Sequence, residues 1–197
     1  SGKLEERKAT LKVLKAWAKK YGGDFRYHLD CSIFNPFLDP KGQHQLILQH
    51  FGGSIPENIN LLQPQAKNVD YNQVLNAVDI DLTGMSGGEG FNLPCFQSLC
   101  LGKWAVVLNA NVHKHYANKT NAIMVEPSGM RDAHDGHFFH KGGVWNQGQW
   151  FDFNEDEFIA AMEEAEGKAK LPNPSGEQLK EDFSYKKMAY ISFKALA

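Results

Sequence analysis

The sequence has few cysteines and lacks two kinds of long segment. Its 197 residues include three cysteines, Cys31, Cys95 and Cys100, and no CxxC pair. An odd, scattered set of this kind favours reduced thiols in the core and argues against a disulfide framework. No apolar run approaches the roughly 20 residues that cross a bilayer, and the charged N-terminus is unlike a signal peptide. We therefore expect a cytoplasmic protein with no transmembrane segment.

An excess of positive charge is also missing. The chain carries 21 Lys and Arg residues against 23 Asp and Glu residues. Binding to nucleic-acid phosphates usually requires a cationic surface, so we expect no nucleic-acid partner. The composition, 42% hydrophobic and 22% charged, is typical of a globular domain with one sizeable core. We predict a single domain over residues 1–197, with a core region at 1–170 and a linker and C-terminal helix at 171–197.

Helical and extended patterns alternate along the first half of the chain. The predicted helices span residues 3–21, 43–51, 71–77 and 94–100. The predicted strands span residues 27–34, 59–62, 80–83 and 104–108. Such alternation indicates parallel strands joined by helical crossovers. The predicted fold class is therefore α/β, a three-layer Rossmann-like parallel sheet with helices on both faces.

The pattern is less regular beyond residue 110. A short apolar run lies at 122–125, and the Gly- and His-rich stretch that follows, up to about Gln149, is predicted to be loop. Helical periodicity returns at 155–165, with Asn154 as a suitable N-cap before acidic first-turn residues. A Pro-containing linker at 171–174 then leads to one terminal helix at about 176–196.

A glycine-rich turn is the most informative segment. Residues 83–94 read TGMSGGEGFNLP and lie between a predicted strand and a predicted helix. In a parallel sheet such a turn lies at the carboxyl ends of the strands, where ligands bind. Its backbone N–H groups at the helix N-terminus suit a phosphate or diphosphate, and Gly84, Gly87, Gly88 and Gly90 permit close approach of the backbone. A flexible loop without a ligand is the alternative.

Glu89 and Gln97 are candidate ligand-binding side chains at this turn. They are eight residues apart, about two helical turns, so a helix that begins near Asn92 lets both face one cleft. The Glu89 carboxylate can accept hydrogen bonds from sugar hydroxyls, and the Gln97 amide can both donate and accept. A solvated glutamate and a surface glutamine are the alternative.

The region from residue 71 to residue 108 resembles the signature of retaining GT-B glycosyltransferases, of the group 1 or family-four-like type. That signature is a strand, Ser, Glu-Gly-Phe, Leu-Pro and a glycine before the next strand. The matching pieces here are Ser86, Glu89-Gly90-Phe91, Leu93-Pro94, Gly102 and Trp104-Ala105-Val106-Val107. Further similar pieces extend the resemblance over nearly the whole chain. It implies the C-terminal, donor-binding domain of such an enzyme, which binds a nucleotide sugar.

The resemblance assigns roles to individual residues. It implies that Glu89 contacts the donor sugar, and that Gln97 stands where the family has a glutamate that binds the ribose. The family's Gly-Arg-Leu and Arg-Lys-Gly elements look like Gly2-Lys3-Leu4 and Arg7-Lys8-Ala9. The resemblance therefore implies that Lys3 and Lys8 bind the phosphates. With Glu89 they form the implied catalytic set. The implied donor-binding set is Gly88, Gly90, Phe91, Asn92, Leu93, Gln97, Gln63 and Gln65.

The family context sets further expectations. Its members have a buried strand before the Gly-Arg element and an N-terminal domain that binds the acceptor. We therefore expect an isolated donor domain, inactive alone, belonging to a two-domain hexosyltransferase whose partners are the nucleotide-sugar donor and the N-terminal acceptor domain. A non-catalytic nucleotide-binding module and a nucleotide-sugar epimerase on the same fold are alternatives.

The eight histidines raise the question of a metal site. His134 and His137, with Asp132 and Asp135, could supply zinc ligands, but their spacing matches no closed zinc motif. The GT-B enzymes that the chain resembles generally need no metal for catalysis. We therefore predict no metal and no cofactor.

Overall fold

Parallel strands form the centre of the protein. The structure, a computed structural model, describes residues 1–136, 139–145 and 148–196, of which residues 195 and 196 are described by their backbone alone. The strands are β1 (Gly2–Lys3), β2 (Leu29–Phe34), β3 (Ile59–Leu62), β4 (Ile80–Gly84), β5 (Trp104–Leu108), β6 (Ile123–Val125), β7 (Pro127–Asp132) and β8 (Gln149–Phe153). Two parallel sheets have the orders β1-β2-β3 and β4-β5-β6, and β7 pairs with β8 antiparallel.

Helices connect and cover these strands. They are α1 (Thr10–Tyr21), α2 (Pro40–His50), α3 (Asn68–Ala77), α4 (Leu93–Cys100), α5 (Glu155–Glu166), α6 (Pro174–Glu177), α7 (Leu179–Asp182) and α8 (Tyr185–Leu196). Two short 3-10 helices lie at Glu6–Lys8 and Asn111–His115. No helix in the described ranges is both long and apolar enough to cross a bilayer.

Strand β5 shows how the core is layered. All five of its residues are buried. Val106 and Leu108 pack in one cluster with side chains of α1 and α5, whereas Ala105 and Val107 pack in a second cluster with side chains of α4 and α7. A parallel strand covered on both faces needs an uninterrupted apolar sequence, which the WAVVL segment provides. The predicted α/β Rossmann-like fold with helices on both faces is confirmed.

The parallel sheet is divided between β1 and β4. β1 pairs with β2 at only two positions, Gly2 with Ile33 and Lys3 with Phe34. No ladder joins β4 to β1 or β2 among the described residues. Between the facing edges of β2 and β4 lies a cavity of about 460 Å³ that is also lined by α1 and α3. The amino group of Ser1 lies against this space, and burial lowers its pKa.

Three element predictions differ from the structure. The segment to Gln149 is not all loop, because it contains β7, which pairs with β8 at the end of the segment and beyond it. The helix predicted from residue 3 begins only at Thr10, after β1, a 3-10 helix and Ala9 in the left-handed region at φ 53°. The predicted terminal helix is broken into α6, α7 and α8.

Other local predictions are confirmed. The Asn154 side chain caps α5 by accepting hydrogen bonds from the backbone N–H groups of Asp156 and Glu157, at 2.8 and 3.1 Å. Cys31 and Cys95 are buried free thiols of the core. Burial raises the pKa of Cys31 to about 12, so this thiol stays protonated.

Candidate functional site

The glycine turn follows the carboxyl end of β4 and is held by three other parts of the chain. The Gly87 N–H donates to the Arg7 carbonyl at 3.1 Å, and the Ser86 hydroxyl donates to the same oxygen at 3.0 Å. The Gly87 carbonyl accepts from the Phe151 N–H at 3.0 Å and from the Asn111 amide at 2.8 Å. The turn is therefore fixed between the 3-10 helix at Glu6–Lys8 and strand β8.

The glycines of this turn differ in how much space surrounds them. A side chain at Gly84 would meet the Val106 carbonyl oxygen at 2.6 Å, and one at Gly87 would overlap the Phe151 carbonyl. At Gly88 it would press on the Trp150 ring at 3.1 Å. Only at Gly90, of these four, is the space open within 4 Å. The close approach predicted for Gly84, Gly87 and Gly88 is thus made to the protein itself.

Asn92 holds the end of the turn. Its backbone is left-handed, at φ 63° and ψ 63°, a conformation that asparagine tolerates better than most residues. Its buried amide donates to the Thr83 carbonyl and to Nε2 of His113, both at 2.9 Å. His113 Nδ1 donates in turn to the Leu108 carbonyl at 3.0 Å. Burial lowers the pKa of His113, which keeps the ring neutral and Nε2 able to accept.

Free backbone donors line the exit of the turn. In the part of the chain that the structure describes, no hydrogen bond is recorded from the N–H groups of residues 89–93. No side chain caps α4 either, although the helix starts at Leu93. The first N–H groups of a helix carry partial positive charge and favour a bound anion. The predicted donors Phe91, Asn92 and Leu93 therefore lie where a phosphate group could be bound.

Lys8 and Glu89, both in the catalytic set that the family resemblance implied, are in direct contact. Lys8 Nζ donates to Oε1 of Glu89. Arg7 Nη1 donates to the other carboxylate oxygen at 3.2 Å and to the Gly88 carbonyl at 2.8 Å. The Glu89 side chain is only 7% exposed. No role was assigned to Arg7 from the sequence. The one signal for such a role was that Arg7 directly precedes Lys8 in the sequence.

The other predicted site residues are not joined to this pair. Lys3 is 49% exposed and contacts Glu5 at 3.6 Å. Gln97 is exposed on α4, and Gln63 and Gln65 are exposed after β3, where the Gln65 amide donates to the Gln63 carbonyl at 2.7 Å. Within the described ranges no hydrogen bond or ion pair links any of these four residues to Lys8 or Glu89. Their roles stay predictions.

The hairpin of β7 and β8 forms a wall of the site that the sequence did not predict. The Trp150 ring packs beside Gly88, and the Arg131 guanidinium lies over the ring at 5.4 Å from its centroid. Arg131 also donates to the Glu6 carbonyl at 2.9 Å. The hairpin thereby connects the turn with the N-terminal 3-10 helix. The aromatic run at residues 150–153 was the signal for β8.

No metal site is visible in the part of the chain described. No group of three or more His, Cys, Asp or Glu residues there is arranged to hold an ion. His137, one of the histidines considered above, lies outside the described residues. The expectation that the protein needs no metal therefore stays a prediction.

Comparison with solved structures places this α/β fold. The C-terminal domain of a glycosyl transferase group 1 family protein, LpcC from Francisella tularensis, superposes with a TM-score of 0.67 at 13% identity. The match covers 93% of this chain and 83% of that one. Anabaena Alr3699/HepE, solved in complex with UDP, superposes with a TM-score of 0.63 at 12% identity over 100% of this chain.

These likenesses define the fold class. The protein is an α/β domain of the Rossmann-like type, with a glycine turn after a central parallel strand. More specifically, it has the fold of the C-terminal domain of a GT-B glycosyltransferase. The chain spans 48% of the length of HepE. No family profile and no curated protein sequence matches it.

Proposed function

We propose that this domain binds the nucleoside diphosphate sugar donor of a GT-B hexosyltransferase that acts with retention on a hydroxyl acceptor. The observation that carries the proposal is the glycine turn: free N–H groups at residues 89–93, at the start of α4, beside Lys8. The acceptor is held by an N-terminal domain of the same enzyme. This chain alone is then a binding domain without turnover.

Charge at the leaving group gives the turn its role in the reaction. Transfer of the sugar leaves negative charge on the departing diphosphate, and fixed donors aimed at that charge lower the barrier. The N–H groups of Phe91, Asn92 and Leu93 and the Lys8 ammonium supply such donors. Gly90 leaves the space at the turn open for the ligand. The Glu89 carboxylate accepts hydrogen bonds from the sugar hydroxyls.

The nucleoside is assigned to the exposed side chains around the turn. Gln97 follows Leu93 by one helical turn, so both lie on the exposed face of α4. Gln63 and Gln65 follow the carboxyl end of β3, and Lys3 is the last residue of β1. Ligands of parallel sheets bind at the carboxyl ends of the strands. UDP in the HepE complex supports a uridine nucleotide as the first donor to test.

The test is calorimetric titration of the folded domain with UDP, GDP, ADP and dTDP and with their hexose conjugates. One nucleotide series should bind best. Lys8→Ala should weaken binding of the diphosphates about 10- to 100-fold, the loss expected for a charge-assisted hydrogen bond, and should weaken binding of the free nucleoside little. Lys41→Ala, an exposed lysine on α2, is the matched control and should bind like the unaltered protein.

A second variant separates the sugar from the diphosphate. Glu89→Ala should lower the preference for the nucleotide sugar over the bare nucleoside diphosphate, because the proposed partner of Glu89 is the sugar. An unchanged ratio of the two affinities would remove Glu89 from the sugar site. Failure of the folded protein to bind any nucleotide would contradict the proposed function, and recovery of a chemically altered sugar would favour an epimerase.

A further inference from the structure

Glu89 bridges two cations at the candidate site. One carboxylate oxygen contacts the Lys8 ammonium and the other contacts the Arg7 guanidinium. The three side chains are 7%, 18% and 28% exposed, in the order Glu89, Lys8 and Arg7. Water screens such charges less than it screens a surface pair. A protein carboxylate therefore already neutralises the lysine that the proposed function assigns to a diphosphate.

The two cations are held to different extents. The Arg7 guanidinium contacts three acceptors, the Gly88 carbonyl at 2.8 Å, the Glu5 carboxylate at 3.0 Å and Glu89 at 3.2 Å. The Lys8 ammonium has Glu89 as its one hydrogen-bond partner in the described part of the chain. Exchange of the Lys8 partner breaks one contact, whereas release of Arg7 breaks three. Arg7 is thus fixed, and Lys8 is the cation that can change partner.

We propose that Glu89 is an internal counter-ion that the diphosphate of the ligand displaces from Lys8, while Arg7 keeps hold of Glu89. The inference rests on the proposed function and deepens it. After the exchange, the carboxylate oxygen that faced Lys8 accepts a hydrogen bond from a sugar hydroxyl, and the second oxygen stays on Arg7. Arg7 is a positioning residue, because it acts on the ligand through Glu89 and the turn.

This exchange makes the site selective for a sugar-bearing ligand. The charges of Glu5, Arg7, Lys8 and Glu89 sum to zero, so in the empty site these side chains add no net attraction for an anion to that of the backbone N–H groups. A bare diphosphate that takes Lys8 leaves Oε1 of Glu89 without a partner and close to the bound anion, which is unfavourable. A nucleotide sugar supplies the missing hydroxyl donor. The expected consequence is tight donor binding and weak binding of the bare nucleoside diphosphate.

The test compares Glu89→Gln with the unaltered domain, using inorganic pyrophosphate, UDP and UDP-hexose as probes in calorimetry. Removal of the counter-ion should tighten binding of pyrophosphate and UDP at least about tenfold, as expected for a nearby charge pair. Binding of UDP-hexose should gain less, so the preference for the sugar falls. Glu5→Gln is the matched control: it removes the same charge next to Arg7 but not next to Lys8, and should change pyrophosphate binding less.

Arg7→Lys tests the positioning role. It keeps the charge but loses the forked contact with Gly88, Glu5 and Glu89. Binding of UDP-hexose should fall while binding of pyrophosphate changes less, since pyrophosphate does not use Glu89. A variant that merely disturbed the fold would weaken both equally and would show a lower Tm.

The outcomes separate this inference from the proposed function. Unchanged or weaker pyrophosphate binding by Glu89→Gln overturns the exchange, and so does an absence of pyrophosphate binding by both proteins. Tighter pyrophosphate binding by the variant supports the exchange even if no nucleoside adds affinity. In that case the nucleotide-sugar assignment fails, and the anion exchange stands.

Discussion

Two buried polar side chains set the backbone of the turn. Asn92 is held in the left-handed region by bonds to Thr83 and His113, and His113 is held by Leu108. This arrangement needs a neutral imidazole, since a protonated Nε2 would point a donor at the Asn92 amide. Desolvation is the largest cause of the lowered pKa of His113, while Glu89 raises the pKa and Lys8 lowers it.

The lowered pKa of His113 predicts a loss of stability in mild acid. The folded state resists protonation, whereas in the unfolded chain a histidine titrates near its ordinary pKa of about 6.5. The His113 contribution is therefore fully present above about pH 6.5 and is lost as the pH falls below it, by up to about 1.4 kcal/mol per pH unit. Denaturant unfolding between pH 5 and 8 measures this slope.

His113→Gln is the comparison that isolates the imidazole. The variant is expected to be less stable at every pH, because residue 113 is fully buried. Its free energy of unfolding should nevertheless vary less with pH below about 6.5 than that of the unaltered protein. Identical slopes for the two proteins would show that His113 does not titrate on unfolding.

At the scale of elements, the hairpin of β7 and β8 supports the turn. The Phe151 N–H donates a hydrogen bond to the Gly87 carbonyl, and the Trp150 ring packs beside Gly88. Lys12 of α1 pairs with Asp152 at 2.6 Å, and Arg131 reaches back to Glu6. The conformation of the turn therefore depends on strand β8, which is about 60 residues away in sequence.

The Gly87→Ala substitution tests this dependence. The new methyl group would overlap the Phe151 carbonyl oxygen, a backbone atom that cannot move without the strand. We expect a destabilisation of about 1–3 kcal/mol, the usual cost of overpacking, measured by denaturant unfolding. Gly90→Ala makes the same change in the same turn, where the space within 4 Å is open. It should change stability by less than about 0.5 kcal/mol, and equal effects at both positions would refute the packing role.

Sequence patterns predicted the elements that depend on local chemistry. β3 and β5 have the predicted bounds, and Asn154 caps α5, because apolar runs and caps are local signals. Lys8 and Glu89 were named as site residues from a family resemblance, but the contact between them was not predicted. The hairpin, Arg7 and the His113 bond to Asn92 were missed because they depend on tertiary contacts between distant segments. Neither periodicity nor spacing reports such contacts.

At the scale of the whole molecule, the division of the parallel sheet leaves a cavity in the core. The edges of β2 and β4 face each other across the cavity. Apolar side chains of α1 and α3 also line this cavity. The backbone groups on such edges are unpaired within the sheets described. We infer that this cavity, which Ser1 helps to line, can accept one strand parallel to β2 and continuous with Ser1.

This inference predicts that added residues joined to Ser1 will stabilise the domain. The observed register places the residue before Ser1 opposite Cys31, and the two before it opposite Asp30 and Leu29. A four-residue extension of valine and isoleucine has the continuous apolar sequence that a strand covered on both faces requires. We expect a gain of about 2 kcal/mol, which raises the Tm of a domain of this size by roughly 4–8 °C.

The control carries proline at the second position before Ser1. Proline has no N–H and cannot complete a ladder in the middle of a sheet. Both extensions convert the buried Ser1 ammonium into an amide, so the benefit of removing that charge is the same in both. The difference in Tm therefore measures strand pairing alone. Equal Tm values for the two extended proteins would mean that the cavity does not accept a strand.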